Sequence, residues 1–194
     1  MKSRQILGRV VVLIGVIFVG YASVLFVQNQ LVERHARTYS DEVVEQLVSQ
    51  LEIEQESSSN NDESTSQGVD TLLIDEETYI GIIEIPSLNL ILPVQGEWSY
   101  EKLKNTPCVY ADNPWVIAAH NYDAHFGRLP NLDIGDQAKF TDINGNETYY
   151  EVVDMDLIYE TDVEAVLVDD YDLTLFTCNY NNNTERVVVR FNEI

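Results

Sequence analysis

Thr174-Leu175-Phe176-Thr177-Cys178 ends an apolar, β-forming run in a lone thiol, and the polar loop Asn179-Tyr180-Asn181-Asn182-Asn183 follows at once. Leu173 to Thr177 has the composition of a buried strand. Cys178 therefore sits at a strand mouth, where a substrate can reach it. Eight residues later Arg186 opens a second β-like run, Val187-Val188-Val189-Arg190-Phe191. Upstream, Val116-Ile117-Ala118-Ala119 is a short apolar run that ends in His120. A cysteine, a histidine and an arginine, each at the end of a predicted strand, are the parts of a thiol acyl-transfer site.

The β pattern extends back to about Leu72. Ile80-Gly81-Ile82-Ile83-Glu84-Ile85 reads as a strand stopped by Pro86, and Leu88-Asn89-Leu90-Ile91-Leu92 as another stopped by Pro93. Gln137 to Thr141 and Thr148 to Val153 flank Asn144-Gly145, a dipeptide suited to a hairpin turn. Many short strands punctuated by Gly, Pro and Asn, with few helical stretches and no internal repeat, point to an all-β, closed or nearly closed barrel. The barrel domain is expected over residues 72–194.

The N-terminal part is different. Residues 10–27 carry no charge, and at a ~1.5 Å rise they extend about 27 Å, enough to cross a bilayer core. Lys2, Arg4 and Arg9 precede the run, and the first acid after it is Glu33. Residues 1–9 are thus expected in the cytoplasm and the bulk of the chain outside it. A signal peptide cleaved near Gly20-Tyr21-Ala22 is the alternative, but the apolar run continues through Val27, which favours a retained anchor. Over 28–56, Val43, Val44, Leu47, Val48 and Leu51 follow helical spacing. That helix could continue the membrane helix, pack on the domain or meet another copy. Residues 57–71 are dominated by Ser, Asn, Asp and Glu and read as a flexible linker.

Composition narrows the partners. With 33 acids against 11 bases the formal charge is −22, which argues against nucleic acid, since phosphate binding needs clustered Lys and Arg. The acidity suits solubility or attraction of a cationic amine. Two cysteines, Cys108 and Cys178, are too few for a disulfide scaffold, and Cys108 lies among small and apolar residues as a buried thiol would. Asp133, Asp136, Asp142 and Asp154 invite a calcium reading, but no EF-hand or zinc-ligand spacing is present, and no cofactor is expected.

Thiolate is the nucleophilic form of cysteine, so a cysteine enzyme needs a cationic or basic neighbour and a proton donor for the leaving amine. His120 can donate that proton. Arg186 stays charged and can hydrogen-bond a substrate carbonyl or a developing oxyanion. Taken together, these residues resemble the sortases, membrane-anchored cysteine transpeptidases of Gram-positive bacteria. The signature Thr-Leu-x-Thr-Cys stands at Thr174–Cys178. The family's Gly-His-Asn appears as Ala119-His120-Asn121, with alanine in place of glycine, and Arg186 holds the family's arginine position. Ile80-Gly81-x-Ile83-x-Ile85-Pro86-x-Leu88 with Leu92-Pro93-Val94, and Phe126-Gly127-Arg128-Leu129 with Leu132 and Gly135-Asp136, are similar to the family as well. The resemblance covers about residues 79–192.

It implies an eight-stranded sortase-type β-barrel with short helices behind an N-terminal transmembrane helix. It also implies a reaction in which Cys178 attacks a peptide bond within an LPxTG-like sorting signal. A thioester forms, His120 protonates the leaving fragment, and an amine from a cell-wall precursor or a pilin lysine resolves the thioester. Thr177 and Asn121 become candidate substrate or oxyanion neighbours. His125 competes with His120 but lies in a loop-like stretch and reads as a surface histidine. Arg190 competes with Arg186; four residues is an even step, so on a strand both point to one face. Distance from Cys178 favours Arg186. Some pilus-building sortases carry an Asp-Pro-aromatic lid before the barrel. Residues 53–79 lack that motif, and Asp112-Asn113-Pro114-Trp115 has an additional residue within it. No second apolar helix precedes Ile194, so a lidded pilin polymerase is disfavoured and other pilin sortases stay open. The rival readings are a non-catalytic, membrane-tethered β-domain and a cysteine peptidase that releases its product to water.

Overall fold

A computed structural model of the chain describes residues 2–57, 69–111 and 113–194. The chain divides into two compact units, Met1–His35 and Ala36–Ile194. One helix, α1 (Lys2–Ser57), contributes to both. Its apolar stretch reaches a mean hydropathy of 2.4, and by length and composition it can cross a membrane. The linker expected over 57–71 falls largely outside the described residues.

The second unit is built on nine strands: β1 (Leu72–Ile74), β2 (Glu77–Ile85), β3 (Leu90–Gln95), β4 (Cys108–Tyr110), β5 (Asn113–Ala118), β6 (Gln137–Asp142), β7 (Glu147–Tyr159), β8 (Leu173–Cys178) and β9 (Glu185–Glu193). A single helical turn, α2 (Val163–Val166), lies between β7 and β8. The strand order is β1-β2-β3-β4-β5-β8-β9-β7-β6, and β6 pairs back onto β2. That pairing closes β2 to β9 into an eight-stranded barrel of the kind expected, with β1 added as a short hairpin partner of β2. The Asp142–Glu147 hairpin forms at Asn144-Gly145, with Gly145 at φ +81°. Asp142 fastens the turn by accepting from the backbone N–H groups of Asn144 and Asn146 at 2.9 and 2.8 Å.

Two pairings are parallel, β3–β4 and β5–β8. In a parallel pair both strands end at the same edge of the barrel. Ala118 stands beside Phe176, so the residues that follow β5 emerge next to the last residues of β8.

Side-chain alternation divides the packing in two. Ile117, Leu175, Val187, Val189 and Phe191 face the barrel interior with Ile83, Ile85, Phe126 and Phe140. Val116, Ala118, Phe176, Val188 and Ile158 face outward and form a second apolar layer, roofed by Trp98, Leu103, Tyr110 and Val166.

A third cluster joins Val43 and Leu47 of α1 to Ile74, Tyr79 and Ile82. The helix therefore lies on the barrel of its own chain from Ala36 onward. Its buried line runs through Ala36, Ser40, Val43 and Leu47, and Ser40 Oγ donates to the Asn105 carbonyl at 3.0 Å. Val48, which the helical spacing places on the apolar stripe, is exposed.

Closure depends on a residue without a side chain. A Cβ at Gly81 would lie 2.2 Å from the Thr141 carbonyl oxygen and 2.8 Å from the Phe140 ring. Gly81→Ala must push β2 away from β6, at a cost of about 2–3 kcal/mol. Urea unfolding should show this as a lowered midpoint; an unchanged midpoint would mean that the two strands do not approach so closely.

Candidate active site

Strand parity sets the site. Ala118, Phe176 and Val188 all face outward, so the residues two steps on toward the barrel rim, His120, Cys178 and Arg186, share that face. Across the antiparallel β8–β9 pair, Cys178 is the direct partner of Arg186. All three line one groove of about 180 Å³, with Trp98, Tyr110, Tyr159, Val166 and Phe176 in its walls.

Cys178 is half-buried and carries no disulfide. His120 is the second residue beyond β5 and is held by its backbone. The Ala119 N–H donates to the Phe176 carbonyl at 3.2 Å, and Thr177 Oγ1 donates to the Ala119 carbonyl at 2.8 Å. Thr177 is thus turned inward and buried, and its hydroxyl ties the histidine-bearing segment to the cysteine-bearing strand.

After His120 the chain folds back tightly. Phe126 N–H donates to the His120 carbonyl at 3.1 Å, and the N–H groups of His125 and Gly127 both donate to the Tyr122 carbonyl at 2.9 Å. A Cβ at Gly127 would lie 2.4 Å from the Asn121 carbonyl, so this return requires glycine. The His120 ring leans on Tyr122 with centroids 5.0 Å apart. Burial, and secondarily the cation of Lys104, hold its pKa below the usual histidine value. Neutral imidazole therefore prevails at neutral pH. Asn121 is half-buried and is not among the groove residues.

The two arginines diverge although they share a face. Arg186 donates from Nη1 to the carbonyls of Asn183 and Glu185, both at 2.9 Å, and from Nη2 to Glu160 at 3.0 Å. Arg190 pairs with Thr174 rather than Cys178 and is buried. It binds Asp154, donates to the Ala165 carbonyl at 2.8 Å and lies over the Tyr171 ring at 5.3 Å. It fastens the segment that carries α2, and with it Val163 and Val166 of the groove wall.

One expectation is overturned. His125 is not a surface histidine: it is fully buried. Neither ring nitrogen reaches a partner at full hydrogen-bond geometry, although the backbone of Asn105 lies near enough to oppose part of the shift that burial imposes. The loop reading was correct, but a long-range contact covers the loop, and local polarity carries no trace of that. Cys108 is buried, contacts Gln95 Oε1 and the Thr106 carbonyl at 3.5 Å, and burial pushes its thiol up to about 12. Three of the four aspartates that invited a calcium reading hold other partners. Asp136 accepts from the Asp133 N–H, Asp142 fastens the hairpin and Asp154 meets Arg190. Sequence reading missed Glu160 and the aromatic wall, because nothing local marks the far end of β7 as the neighbour of Cys178.

Comparison with known proteins follows this geometry. The family model described as Sortase domain matches residues 83–193. Among solved structures, sortase C1 of Streptococcus suis aligns at 29% identity and a TM-score of 0.55, over 60% of this chain and 73% of its own. Sortase C-1 of Streptococcus pneumoniae aligns at 29% and 0.56, over 63% and 69%. Sortase C of Clostridium perfringens, solved with the C-terminal cell wall sorting motif, aligns at 24% and 0.55, over 79% and 90%. A comparison with curated proteins finds no match.

The buried His125 makes the protein acid-sensitive. Burial, with a smaller contribution from His120, lowers its pKa to about 4, against about 6.5 in the unfolded chain. Between those values the unfolded state binds more protons, so stability is lost as pH falls from about 6.5 to about 4, by roughly 3 kcal/mol from this group. Denaturant unfolding at both pH values should show a smaller acid loss for His125→Phe than for wild type; an equal loss in both would assign the sensitivity to other groups.

Proposed function

The chain belongs to the sortase family, and on that basis we propose that it is a membrane-anchored cysteine transpeptidase. It cleaves an LPxTG-like sorting signal and joins the released carbonyl to an amine. The observation that supports this reading is the convergence of Cys178, His120 and Arg186 in one groove on the outer face of β5, β8 and β9. The Clostridium perfringens structure, with its sorting motif, is a precedent for such a peptide as substrate. An apolar and aromatic groove at the barrel rim suits a short extended segment. α1 serves as the anchor, with its exposed apolar side chains from Val11 to Val27 in lipid, and the barrel works outside the cell.

In the proposed cycle the Cys178 thiolate attacks the scissile carbonyl, and negative charge builds on its oxygen. Arg186, opposite Cys178 in the β-ladder, supplies fixed N–H donors to that oxygen. His120, made imidazolium by taking the Cys178 thiol proton, gives that proton to the departing amine as the C–N bond breaks, leaving a thioester on Cys178. An incoming amine, from a cell-wall precursor or a pilin lysine, attacks the thioester and passes a proton to His120. The amide leaves and Cys178 is restored. Thr177 acts as a positioning residue through Ala119. Asn121, next to His120 in the chain, is kept as a candidate substrate neighbour although it does not line the groove.

Cys178→Ala should abolish cleavage of an LPxTG-containing peptide, and His120→Ala and Arg186→Ala should each lower kcat/KM by about 100-fold or more. Arg190→Ala should act through stability, costing about 1–3 kcal/mol by removing a buried side chain and its hydrogen bond to the Ala165 carbonyl, with little from Asp154, which is 41% exposed. Product analysis with an added amine separates transfer from hydrolysis. Cleavage unaffected by Cys178→Ala would end the proposal.

Protonation adds a second expectation. With burial and the Lys104 cation holding His120 below its ordinary value, the limb of kcat/KM that follows His120 lies below about 6.5. A nearby cation disfavours imidazolium, so Lys104→Gln should move that limb upward; a downward move would contradict the assignment.

A further inference from the structure

We propose that Glu160 is a positioning residue for the reaction. Its carboxylate aims the Arg186 guanidinium along the groove beside Cys178. The inference rests on the sortase reading above and goes beyond the three groups that reading names. Glu160 is the first residue after β7 and lines the same groove as Cys178 and Arg186. On one side of β9, Arg186 faces Cys178; on the other it faces Ile158 of β7. Glu160 lies two residues beyond Ile158, hence on the same face, and its N–H is fixed to the Thr184 carbonyl at 2.8 Å.

Among the described residues, Arg186 spends three of its N–H groups on protein acceptors. The Asn183 and Glu185 carbonyls take Nη1, and Glu160 Oε2 takes one hydrogen of Nη2. A guanidinium has five N–H donors, so the Nε–H and one Nη2–H are left for a substrate oxygen. Held by Glu160 and the two carbonyls, the planar group still has donors to offer a substrate oxygen. The pair is half exposed, with side-chain exposures of 21% for Arg186 and 46% for Glu160. Such pairs add little to stability. The contribution of Glu160 is orientation: the arginine occupies one rotamer before the substrate arrives, and no reorganisation is needed as the oxyanion forms.

The test uses the full chain in detergent micelles with a fluorogenic LPxTG peptide, read by single-turnover acylation and thermal unfolding. Glu160→Ala should slow acylation by about 10- to 100-fold with little change in KM, because the lost interaction matters only in the transition state. Its melting temperature should stay near that of wild type. Glu160→Gln keeps the acceptor oxygen and should recover most of the rate. In an Arg186→Ala background, Glu160→Ala should cause no further loss, since the effect runs through the arginine. Full activity in Glu160→Ala, faster acylation, or the same fractional loss with and without Arg186 would overturn the positioning role alone. Wild-type rates in Arg186→Ala would overturn the reading on which it stands.

Discussion

The parallel pairing of β5 with β8 is the constraint from which the rest follows. An antiparallel arrangement would put the end of β5 and the end of β8 at opposite rims of the barrel. Because the two strands run the same way, Ala118 aligns with Phe176, and His120 and Cys178 leave the sheet together. The antiparallel β8–β9 hairpin then returns Arg186 to the same rim, opposite Cys178. Two hydrogen bonds, from the Ala119 N–H to the Phe176 carbonyl and from the Thr177 hydroxyl to the Ala119 carbonyl, hold the histidine segment to the cysteine strand. The threonine before the cysteine therefore links two strands at their ends.

The site is on the outside of the barrel, and an outer face needs its own apolar support. Val116, Ala118, Ile158, Phe176 and Val188 supply it, covered by Trp98, Leu103, Tyr110 and Val166. Edge-to-face contacts run from Tyr110 to Trp98 and to Phe176, each with centroids 5.0 Å apart. Here Arg190 has its role. Its bonds to Asp154 and Ala165 fasten the segment after β7 onto the strands, so one arginine at depth holds the wall while the other, at the mouth, faces the thiol. Identical chemistry four residues apart is divided between structure and site by its distance from the rim.

Much of the barrel was legible because most of its strands are short and rich in β-branched residues; Pro86 ends β2 as expected, but Pro93 does not end β3, which begins at Leu90 after a helical turn and runs through Pro93, paired with Ile82, to Gln95. The Asn144-Gly145 hairpin declared itself in two letters. β1 and β4 were not legible. Each has three residues, too few for a period to register. The turn into β2 uses Asp75 and Glu76 at φ +49° and +69°, where a glycine or asparagine would have signalled it. The stripe on α1 was seen only in part: Val43 and Leu47 are buried as spacing suggests, but the line continues through Ala36 and Ser40, small residues that carry no hydrophobic signal. His125 failed for a related reason, since its burial comes from distant chain.

Sequence alone determined most of the local elements, the membrane-length apolar run, the three side chains proposed as reactive and the fact that Arg186 and Arg190 share a face. These depend on composition and on a period of two, both carried by neighbouring residues. Tertiary structure alone decided that Arg186, favoured by its distance, stands directly opposite Cys178 in the ladder while Arg190 is buried, how the end of β7 brings Glu160 to the guanidinium, and that α1 lies along its own barrel from Ala36. Those outcomes depend on strand direction and register between segments far apart in the chain, where hydrogen bonding and close packing, rather than local preference, select the partner.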